Sequence, residues 1–390
     1  MTNYFEFDTK AKILSGSGAL SHILYELKIR GKKKPFVMSD KGLESLGITK
    51  KAIDEMRLES YALFTDIPVD SSTQTVNEAT KIFKDQGCDC IIAVGGGSVI
   101  DTAKGVVLTL VSKEEDIANI EGADALEKRE NILFVAVPTT AGTGSEMTSV
   151  AVIKDAKTET KLEYISTFIL PDISVIDPLM TLTLPARITA STAMDALTHA
   201  IEAYSCLMKN PVSDAYAICA IKMIFANILG AIDDLKNENY RVALANGALL
   251  AGASFSNSMV GAVHSIGHAL GAVCHVAHGD AMSILLPHVL EFNFDKCKKH
   301  YAELLYFVNP SLVQGQDEEQ KARLFIQEIK NLLDTLHQKT GLATTLSQTG
   351  KVEKDKFEQI AIKAVNDGSA IVNPRPLSLE SVCEILEKAF

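Results

Sequence analysis

The feature that most constrains this chain is a long uncharged stretch that contains four histidines. Between Arg241 and Asp280 there is no Asp, Glu, Lys or Arg, and this stretch holds His264, His268, His275 and His278. A segment without charges is expected to be buried, and a buried polar group without a partner costs about 1–3 kcal/mol. The histidines therefore either cap backbone groups within a buried helix or bind a divalent metal, for which imidazoles are common ligands. Their clustering favours the metal.

A second group of candidate ligands lies earlier in the chain. Asp195 and His199 are four residues apart in a mainly apolar segment, so a helix would place both side chains on one face. One carboxylate together with several imidazoles suits Fe(II), Zn(II) or Ni(II) better than Mg or Ca. His264 and His268 repeat the four-residue spacing, so one of them can bind the metal while the other faces whatever the metal holds. The spacing alone does not choose between them.

The length and composition indicate a globular protein of two domains. The chain has 390 residues, of which 47% are hydrophobic and 22% charged. The net charge of −11 disfavours nucleic acid or an anionic membrane as a partner. The first residues lack the features of a signal peptide, and the 7 cysteines form neither a disulfide framework nor a CxxC zinc motif, so we expect a cytoplasmic protein. Asn, Ser, Gly and His interrupt the uncharged stretch 242–279 too often for a membrane span.

The pattern of predicted secondary structure changes near residue 185. Before it, apolar runs alternate with helical patterns; the predicted strands are 35–40, 60–64, 90–97, 132–138 and 173–177, and the predicted helices include 53–59 and 76–87. This alternation predicts a mainly parallel sheet with helices on both faces. After it, nearly all patterns are helical, at 190–206, 211–236, 240–257, 260–272, 281–292, 318–341 and 356–368. We therefore predict an α/β dinucleotide-binding domain at 1–185 and an all-helical domain at 186–390.

Two glycine-rich turns follow predicted strands. The first, GGGSVIDTAKG at 95–105, precedes a helical pattern, so its N–H groups and the helix N-terminus can bind a phosphate; Ser98 and Asp101 also have the spacing of a capping box. The second, PTTAGTGSE at 138–146, adds several hydroxyl groups. Either alone can be a simple tight turn, but two from neighbouring strands favour a dinucleotide. Asp40 is either a turn residue or an acceptor for the adenosine ribose hydroxyls, which would favour NAD over NADP.

Four segments together resemble the iron-containing (group III) alcohol dehydrogenase family. They are GGGSVIDTAKG, PTTAGTGSE, DPLMTLTLPARITASTAMDALTHAIEAY and HSIGHALGAVCHVAHGDAMSILLPHV, and the likeness extends to NPRP at 373–376. The resemblance implies an N-terminal α/β nucleotide-binding domain and an all-α C-terminal domain, a fold shared with dehydroquinate synthase. It implies that the metal, usually Fe(II) and sometimes Zn or Ni, is bound by Asp195, His199, His264 and His278. It also implies NAD contacts at Asp40, Gly96, Gly97, Ser98, Thr139, Thr140, Thr143, Lys161 and Leu182, and a position close to substrate and nicotinamide for His268.

The resemblance further implies a metal-dependent hydride transfer between NAD(H) and a short-chain alcohol, diol or aldehyde, in a homodimer or higher homo-oligomer. We predict that His268 is the catalytic residue that relays the proton. A 4-hydroxybutyrate-like hydroxyacid dehydrogenase or transhydrogenase is an alternative. A sugar-phosphate cyclase is another, but it would need several basic residues for a substrate phosphate, and Arg187, Lys209 and Arg241 lie outside the histidine motif. Departures from the family pattern, such as HSIGHALG and His275, leave the substrate open.

Overall fold

The protein's structure, a computed structural model, describes residues 4–120, 131–158 and 160–390. In these residues six parallel strands form one sheet in the order β1-β8-β5-β4-β2-β3. The strands are β1 (Lys12–Ser15), β2 (Pro35–Met38), β3 (Ala62–Phe64), β4 (Cys90–Gly95), β5 (Leu133–Pro138) and β8 (Ile173–Ile176), and β6 (Val150–Lys154) pairs with β7 (Lys161–Ile165) in a separate antiparallel hairpin. All five predicted strands lie in the parallel sheet. Strand β1 and the hairpin were not predicted from the sequence.

Alternate side chains of the strands face two separate hydrophobic cores. The helices of this part are α1 (Ile23–Ile29), α2 (Lys41–Ser45), α3 (Ile48–Met56), α4 (Thr73–Asp85) and α5 (Gly97–Ser112). On β4, Ile91 and Ala93 belong to the core that contains α4 and α5 residues. Cys90, Ile92 and Val94 belong to the core that contains α1 and α3 residues. Burial on both faces explains why these strands are continuous apolar runs in the sequence.

The order of the strands reverses direction at β2. β2 is hydrogen-bonded to β3 on one side and to β4 on the other, so the chain progresses across the sheet in opposite directions from this point. Parallel sheets bind ligands beyond the carboxyl ends of strands at such a reversal. Asp40 follows β2 and Gly96 follows β4.

The described residues after 184 form helices and short turns. The helices are α6 (Ala186–Ser205), α7 (Pro211–Asp233), α8 (Glu238–Phe255), α9 (Ala262–Cys274), α10 (His278–Val308), α11 (Glu318–Thr340), α12 (Phe357–Val365) and α13 (Leu379–Ala389). The parallel sheet and these helices confirm the predicted fold class. The chain divides into two compact units, Asp8–Thr183 and Leu184–Phe390, with residues 4–7 belonging to the helical unit.

Two of these helices differ from what their sequences suggest. α10 was expected to end near residue 292, but it continues through Pro287 to Val308. Its second half is held by burial of Phe294, Cys297 and Tyr301, which outweighs the missing hydrogen bond of an internal proline. α7 has the length and apolar composition of a membrane span; it packs against α6 and α8, and 39% of its most apolar 18 residues are buried.

Candidate functional site

Three helices of the second unit bring four potential metal ligands together. Asp195 and His199 lie one turn apart on α6, His264 is in the first turn of α9, and His278 is the first residue of α10. One ligand atom from each side chain lies within 4.8 Å of those from the other three. The pairs that were separate in the sequence therefore form one group, and its composition is one carboxylate and three imidazoles.

The polar atoms in the middle of this group lack ordinary partners. Asp195 Oδ1, His199 Nδ1 and His264 Nε2 are buried, and none has a hydrogen-bond partner among the described residues. Asp195 Oδ1 lies 3.2 Å from His278 Nε2, 3.7 Å from His264 Nε2 and 3.8 Å from His199 Nδ1. Leaving such atoms unpaired costs about 1–3 kcal/mol each. A cation bound among them would satisfy all of them, so the residues fit a divalent transition metal.

The electrostatics of the group also favour a cation. Burial would raise the pKa of the Asp195 carboxyl, but its interactions with the imidazoles of His199, His278 and His264 hold that pKa well below its usual range. Burial lowers the pKa of His199 well below its ordinary value, which keeps this imidazole neutral and able to donate a lone pair. Burial would also lower the pKa of His264, but the Asp195 and Glu202 carboxylates raise it to about 9. Positive charge is therefore stabilised at the centre of the group.

Two residues that support these ligands were missed in the sequence analysis. Glu202 is buried on α6, and its Oε2 lies 2.5 Å from His264 Nδ1. The sequence spacing could have identified Glu202, because it lies seven residues after Asp195 and thus on the same helix face. The ring of Phe255 stacks on His199, with centroids 4.3 Å apart. Phe255 ends α8 and had no local signal.

His268 lies beside the four potential ligands with a carboxylate partner of its own. Its ring centroid is 5.6 Å from that of His278 and 5.9 Å from that of His264. Its Nδ1 lies 2.9 Å from Asp367 Oδ2. Burial would raise the pKa of Asp367, but His268 and the N–H of Ser369 lower it to about 2. Asp367 therefore keeps its charge and orients the imidazole.

His275 lies apart from this arrangement. It ends α9 with a φ of 54°, in the left-handed region, and its side chain is exposed. Its carbonyl oxygen accepts a hydrogen bond of 2.6 Å from Lys351 Nζ. His275 is absent from the group of four potential ligands.

The two glycine-rich turns lie side by side in the first unit. β4 and β5 are paired in parallel, with Gly95 opposite Pro138, and Thr139 N donates to Gly95 O at 3.0 Å. A Cβ on Gly97 would come within 3.0 Å of the Thr143 side chain, and one on Gly96 would lie 3.6 Å from Thr140 Oγ1. The glycines thus allow the second loop to approach the start of α5 closely, and both loops end at the same edge of the sheet.

Ser98 does not form the expected capping box with Asp101. The N-cap of α5 is Gly96, which has no side chain, while the Ser98 hydroxyl donates to Val69 O. The capping-box prediction is wrong because the glycine run lets the helix begin two residues earlier. Lys161, on β7, lies close to the residue after Val69, because its Nζ is 3.7 Å from Asp70 Oδ1.

The remaining predicted cofactor residues lie at the ends of other strands. Asp40 is the N-cap of α2, and its Oδ1 accepts a 2.9 Å hydrogen bond from Leu43 N. Its second carboxylate oxygen is the one available to a ligand in this geometry. Leu182 follows β8 and a short 3-10 turn, and its N–H donates to Pro178 O at 3.1 Å.

Comparison with known proteins identifies the family. Residues 10–178 match the family described as iron-containing alcohol dehydrogenase, and residues 189–390 match the C-terminal part of the same family. The chain is 35% identical to the 1,3-propanediol dehydrogenase of Citrobacter freundii over 96% of both proteins. It is 33% identical to the NAD-dependent methanol dehydrogenase of Bacillus methanolicus over 100% of both. A solved 1,3-propanediol oxidoreductase superimposes with a TM-score of 0.94 at 32% identity, covering 100% of both chains.

The chain belongs to the iron-containing alcohol dehydrogenase family. It is thus an oxidoreductase, a metal-dependent alcohol dehydrogenase, as its sequence motifs predicted.

A buried lysine supports the two loops of this alcohol dehydrogenase. Its role was not predicted from the sequence. Lys104, on α5, is fully buried and donates to Ser145 Oγ, Thr148 Oγ1 and Val150 O at 2.7–2.8 Å. Asp101, one turn earlier, accepts hydrogen bonds from Ser145 Oγ (2.7 Å) and from the backbone N–H of residue 152 (3.1 Å). Burial lowers the pKa of Lys104 to about 8. α5 and the second loop are therefore held in one hydrogen-bond network.

The basic residues that a sugar-phosphate cyclase would need are already engaged in this dehydrogenase. Arg187 forms an ion pair with Asp280 at 3.0 Å, and Lys209 forms one with Asp214. Arg241 is fully buried and donates to three oxygen atoms, those of Leu235 O, Thr189 Oγ1 and Leu184 O. All three basic side chains therefore already have partners among the described residues.

Proposed function

We propose that this alcohol dehydrogenase transfers a hydride between NAD(H) and a short-chain alcohol, a diol or the corresponding aldehyde. The observation that carries this proposal is the group formed by Asp195, His199, His264 and His278, whose buried polar atoms lack partners. Three imidazoles and one carboxylate are a ligand set typical of a catalytic transition metal.

We infer that these four residues hold one divalent ion, Fe(II) in the first instance, with Zn(II) or Ni(II) as alternatives. When bound, the ion would polarise the oxygen of the alcohol or aldehyde, and the nicotinamide would accept or donate the hydride. The protein residues fix the ion's position, and Phe255 covers one face of His199 and so excludes water from it.

The proposed role of His268 is to move the proton of the substrate hydroxyl. Its side chain is 30% exposed, so it is in contact with solvent, while it also touches the rings of two proposed ligands. Asp367 holds Nδ1, which leaves Nε2 as the nitrogen that exchanges a proton with the substrate oxygen. His268 is thus the catalytic residue in this proposal, and Asp367 a positioning residue.

The nucleotide is proposed to be NAD, bound by the first unit. The proposed contacts are Asp40, Gly96, Gly97, Ser98, Thr139, Thr140, Thr143, Lys161 and Leu182. The adjacent glycine-rich loops, at the carboxyl edge of the sheet, support a pyrophosphate site there. The charge of Asp40 would repel a 2′-phosphate, and the methanol dehydrogenase relative is named for its dependence on NAD.

We further propose that the two domains have different roles. Residues 1–185 would bind the dinucleotide, and residues 186–390 would bind the metal and the substrate. We also propose a cytoplasmic enzyme that forms a homodimer or a higher homo-oligomer. Leu207 and Ile371 support the oligomer: both expose more than half of their surface, and they are adjacent because Leu207 N donates to Val372 O.

The proposal is tested by following NADH oxidation by the purified protein with a panel of short aldehydes. The protein is stripped of metal and then loaded anaerobically with Fe(II), with Zn(II) or with no metal. We expect activity only after metal loading, with a clear ranking of the aldehydes. Inactivity with every metal and aldehyde, combined with turnover of a hydroxyacid or with tightly retained nucleotide, would replace this proposal with the hydroxyacid dehydrogenase or transhydrogenase alternative.

A further inference from the structure

Helix α9, which carries His264 and His268, begins without a cap of its own. Its N-cap is Gly261, which has no side chain to accept a hydrogen bond from the first N–H groups. Two distant side chains supply the acceptors. Ala262 N donates to Asn373 Oδ1 at 3.2 Å, and Val263 N donates to Glu202 Oε1 at 2.7 Å.

The glycine at this position is required by the approach of both acceptors. A Cβ on Gly261 would lie 2.9 Å from Asn373 Oδ1 and 3.1 Å from Glu202 Oε1. The first of these distances is shorter than any ordinary contact of a Cβ atom. The first turn of α9 therefore packs directly against Glu202 and Asn373. It loses one hydrogen-bond acceptor if either side chain moves.

The contact with Val263 decides how the Glu202 carboxylate is oriented. A backbone N–H can only donate, so Oε1 is fixed as its acceptor, and the carboxylate also complements the partial positive charge of the helix N-terminus. The second oxygen, Oε2, then lies 2.5 Å from His264 Nδ1. When a metal ion takes the place of a proton on Nε2, the proton that His264 keeps must be on Nδ1, because the carboxylate oxygen facing Nδ1 is its acceptor.

The other nitrogen of His264 faces the proposed metal ligands. His264 Nε2 is 3.7 Å from Asp195 Oδ1, is buried, and has no hydrogen-bond partner in the described parts of the chain. We propose that Glu202 is a positioning residue of the metal centre, which locks His264 in the Nδ1–H tautomer so that Nε2 presents its lone pair to the ion. This inference rests on the metal site proposed above. Such outer carboxylates are typically worth 10–100-fold in metal affinity.

Asn373, from the NPRP segment, supports the same helix start without touching His264. Its side-chain amide forms two reciprocal hydrogen bonds of 2.9 Å with that of Asn293 on α10. Both asparagines are at least 96% buried. Asn373 therefore caps α9 but has no influence on the tautomer, which makes it the matched control for Glu202.

The test compares Glu202→Gln with Asn373→Ala in the full-length protein. A glutamine keeps the size of the side chain, and its oxygen can still accept from Val263 N. Its NH2 group then faces His264 Nδ1, which must become an acceptor, and the proton moves to Nε2. We expect Zn(II) affinity, measured by competition with a chromophoric chelator, to fall about 10–100-fold in Glu202→Gln. We expect Asn373→Ala to lower the Tm because α9 loses one cap. Its Zn(II) affinity should change by less than about threefold, because the contact between Glu202 and His264 is intact in this variant.

The tautomer itself is observable in the Zn-loaded protein. Long-range proton–nitrogen correlation spectra of the histidine rings should show a Nδ1–H signal for His264 in the wild type and none in Glu202→Gln. Wild-type affinity in Glu202→Gln, or an equal loss in Asn373→Ala, would overturn the inference. These outcomes are distinguishable from failure of the metal site: if Asp195→Ala binds Zn(II) as tightly as the wild type, the site and the tautomer lock are both wrong.

Discussion

His268 and Asp367, 99 residues apart in the chain, meet through a contact of 2.9 Å between Nδ1 and Oδ2. The carboxylate fixes the tautomer and the direction of an imidazole that lies beside the four proposed metal ligands. This orientation is the one that a residue relaying a proton requires. The partner, Asp367, lies outside the sequence motifs described above.

Replacing either member of this pair should slow turnover without removing the metal. We expect His268→Ala to lower kcat about 10²–10⁴-fold, the usual contribution of a general acid or base. Asp367→Asn should lower it about tenfold, because the amide retains part of the orientation. Metal content by atomic emission should stay at the wild-type level in both, as in the exposed control Asp355→Asn. Loss of metal in His268→Ala would make His268 a ligand instead.

Removing the carboxylate of the metal group should abolish metal binding and activity together. In Asp195→Ala three imidazoles remain, and no anion balances the ion's charge. Chelator treatment should therefore lower the Tm of the wild type and leave that of the variant unchanged. For an ion present at 1,000 times its Kd, the free energy of unfolding that the wild type loses is about 4 kcal/mol. The exposed Asp233→Ala should behave as the wild type. Activity retained in Asp195→Ala would contradict the ligand assignment.

Neutralising Asp40 should relax the choice of nucleotide. Asparagine can still cap α2 by accepting from Leu43 N, so Asp40→Asn should fold normally. It no longer repels a 2′-phosphate, and we expect KM for NADP to fall about tenfold, which corresponds to about 1.4 kcal/mol. KM for NAD should rise modestly. Steady-state kinetics with both nucleotides would measure this, with the exposed Asp54→Asn as a control; an unchanged ratio would place Asp40 outside the ribose site.

Glu146 should make the stability of the protein depend on pH. Burial raises its pKa to about 7, from 4.5 for an exposed glutamate, despite the nearby Lys104 charge. The folded protein therefore keeps a proton that the unfolded chain loses above pH 4.5, and the stability contributed by the protonated acid is lost as the pH rises through about 7. Glutamine does not titrate.

We therefore expect Glu146→Gln to be stabilised relative to the wild type as the pH rises from 4.5 to 8. A pKa difference of about 2.5 at about 1.36 kcal/mol per pH unit gives a change of roughly 3 kcal/mol. Denaturant unfolding of both proteins at pH 4.5, 6 and 8 measures it. An equal stability difference at all three pH values would mean that the pKa of Glu146 is the same in the folded and the unfolded protein.

Local patterns were enough to predict the parallel sheet and to place Asp195 and His199 on one helix face. β4 and β5 are apolar throughout because both faces of the sheet are buried. Asp195 and His199 reveal one helix face by their spacing. The same spacing did not choose between His264 and His268, because the choice depends on where α6 and α10 place the other ligands.

Features that depend on distant parts of the chain were not predicted. β1 has only 4 residues, three of them exposed, so its sequence carries no strand pattern. Asp367 and Asn373 reach α9 from more than 90 residues away, and nothing near them in the sequence identifies their partners. The start of α5 was misjudged because capping by Ser98 and a helix start at glycine are both consistent with the residues present.

The acceptor that Asn373 gives to Ala262 also determines when helix α9 is complete during synthesis. All four proposed ligands and Glu202 leave the ribosome well before Asn373 does, yet the first turn of α9 lacks one of its acceptors until then. Because Asn373 does not touch His264, a chain that ends before Asn373 would already contain the proposed metal ligands and their positioning carboxylate, but on a less stable helix. The full stability of α9 would thus be gained only when nearly the whole polypeptide has been made.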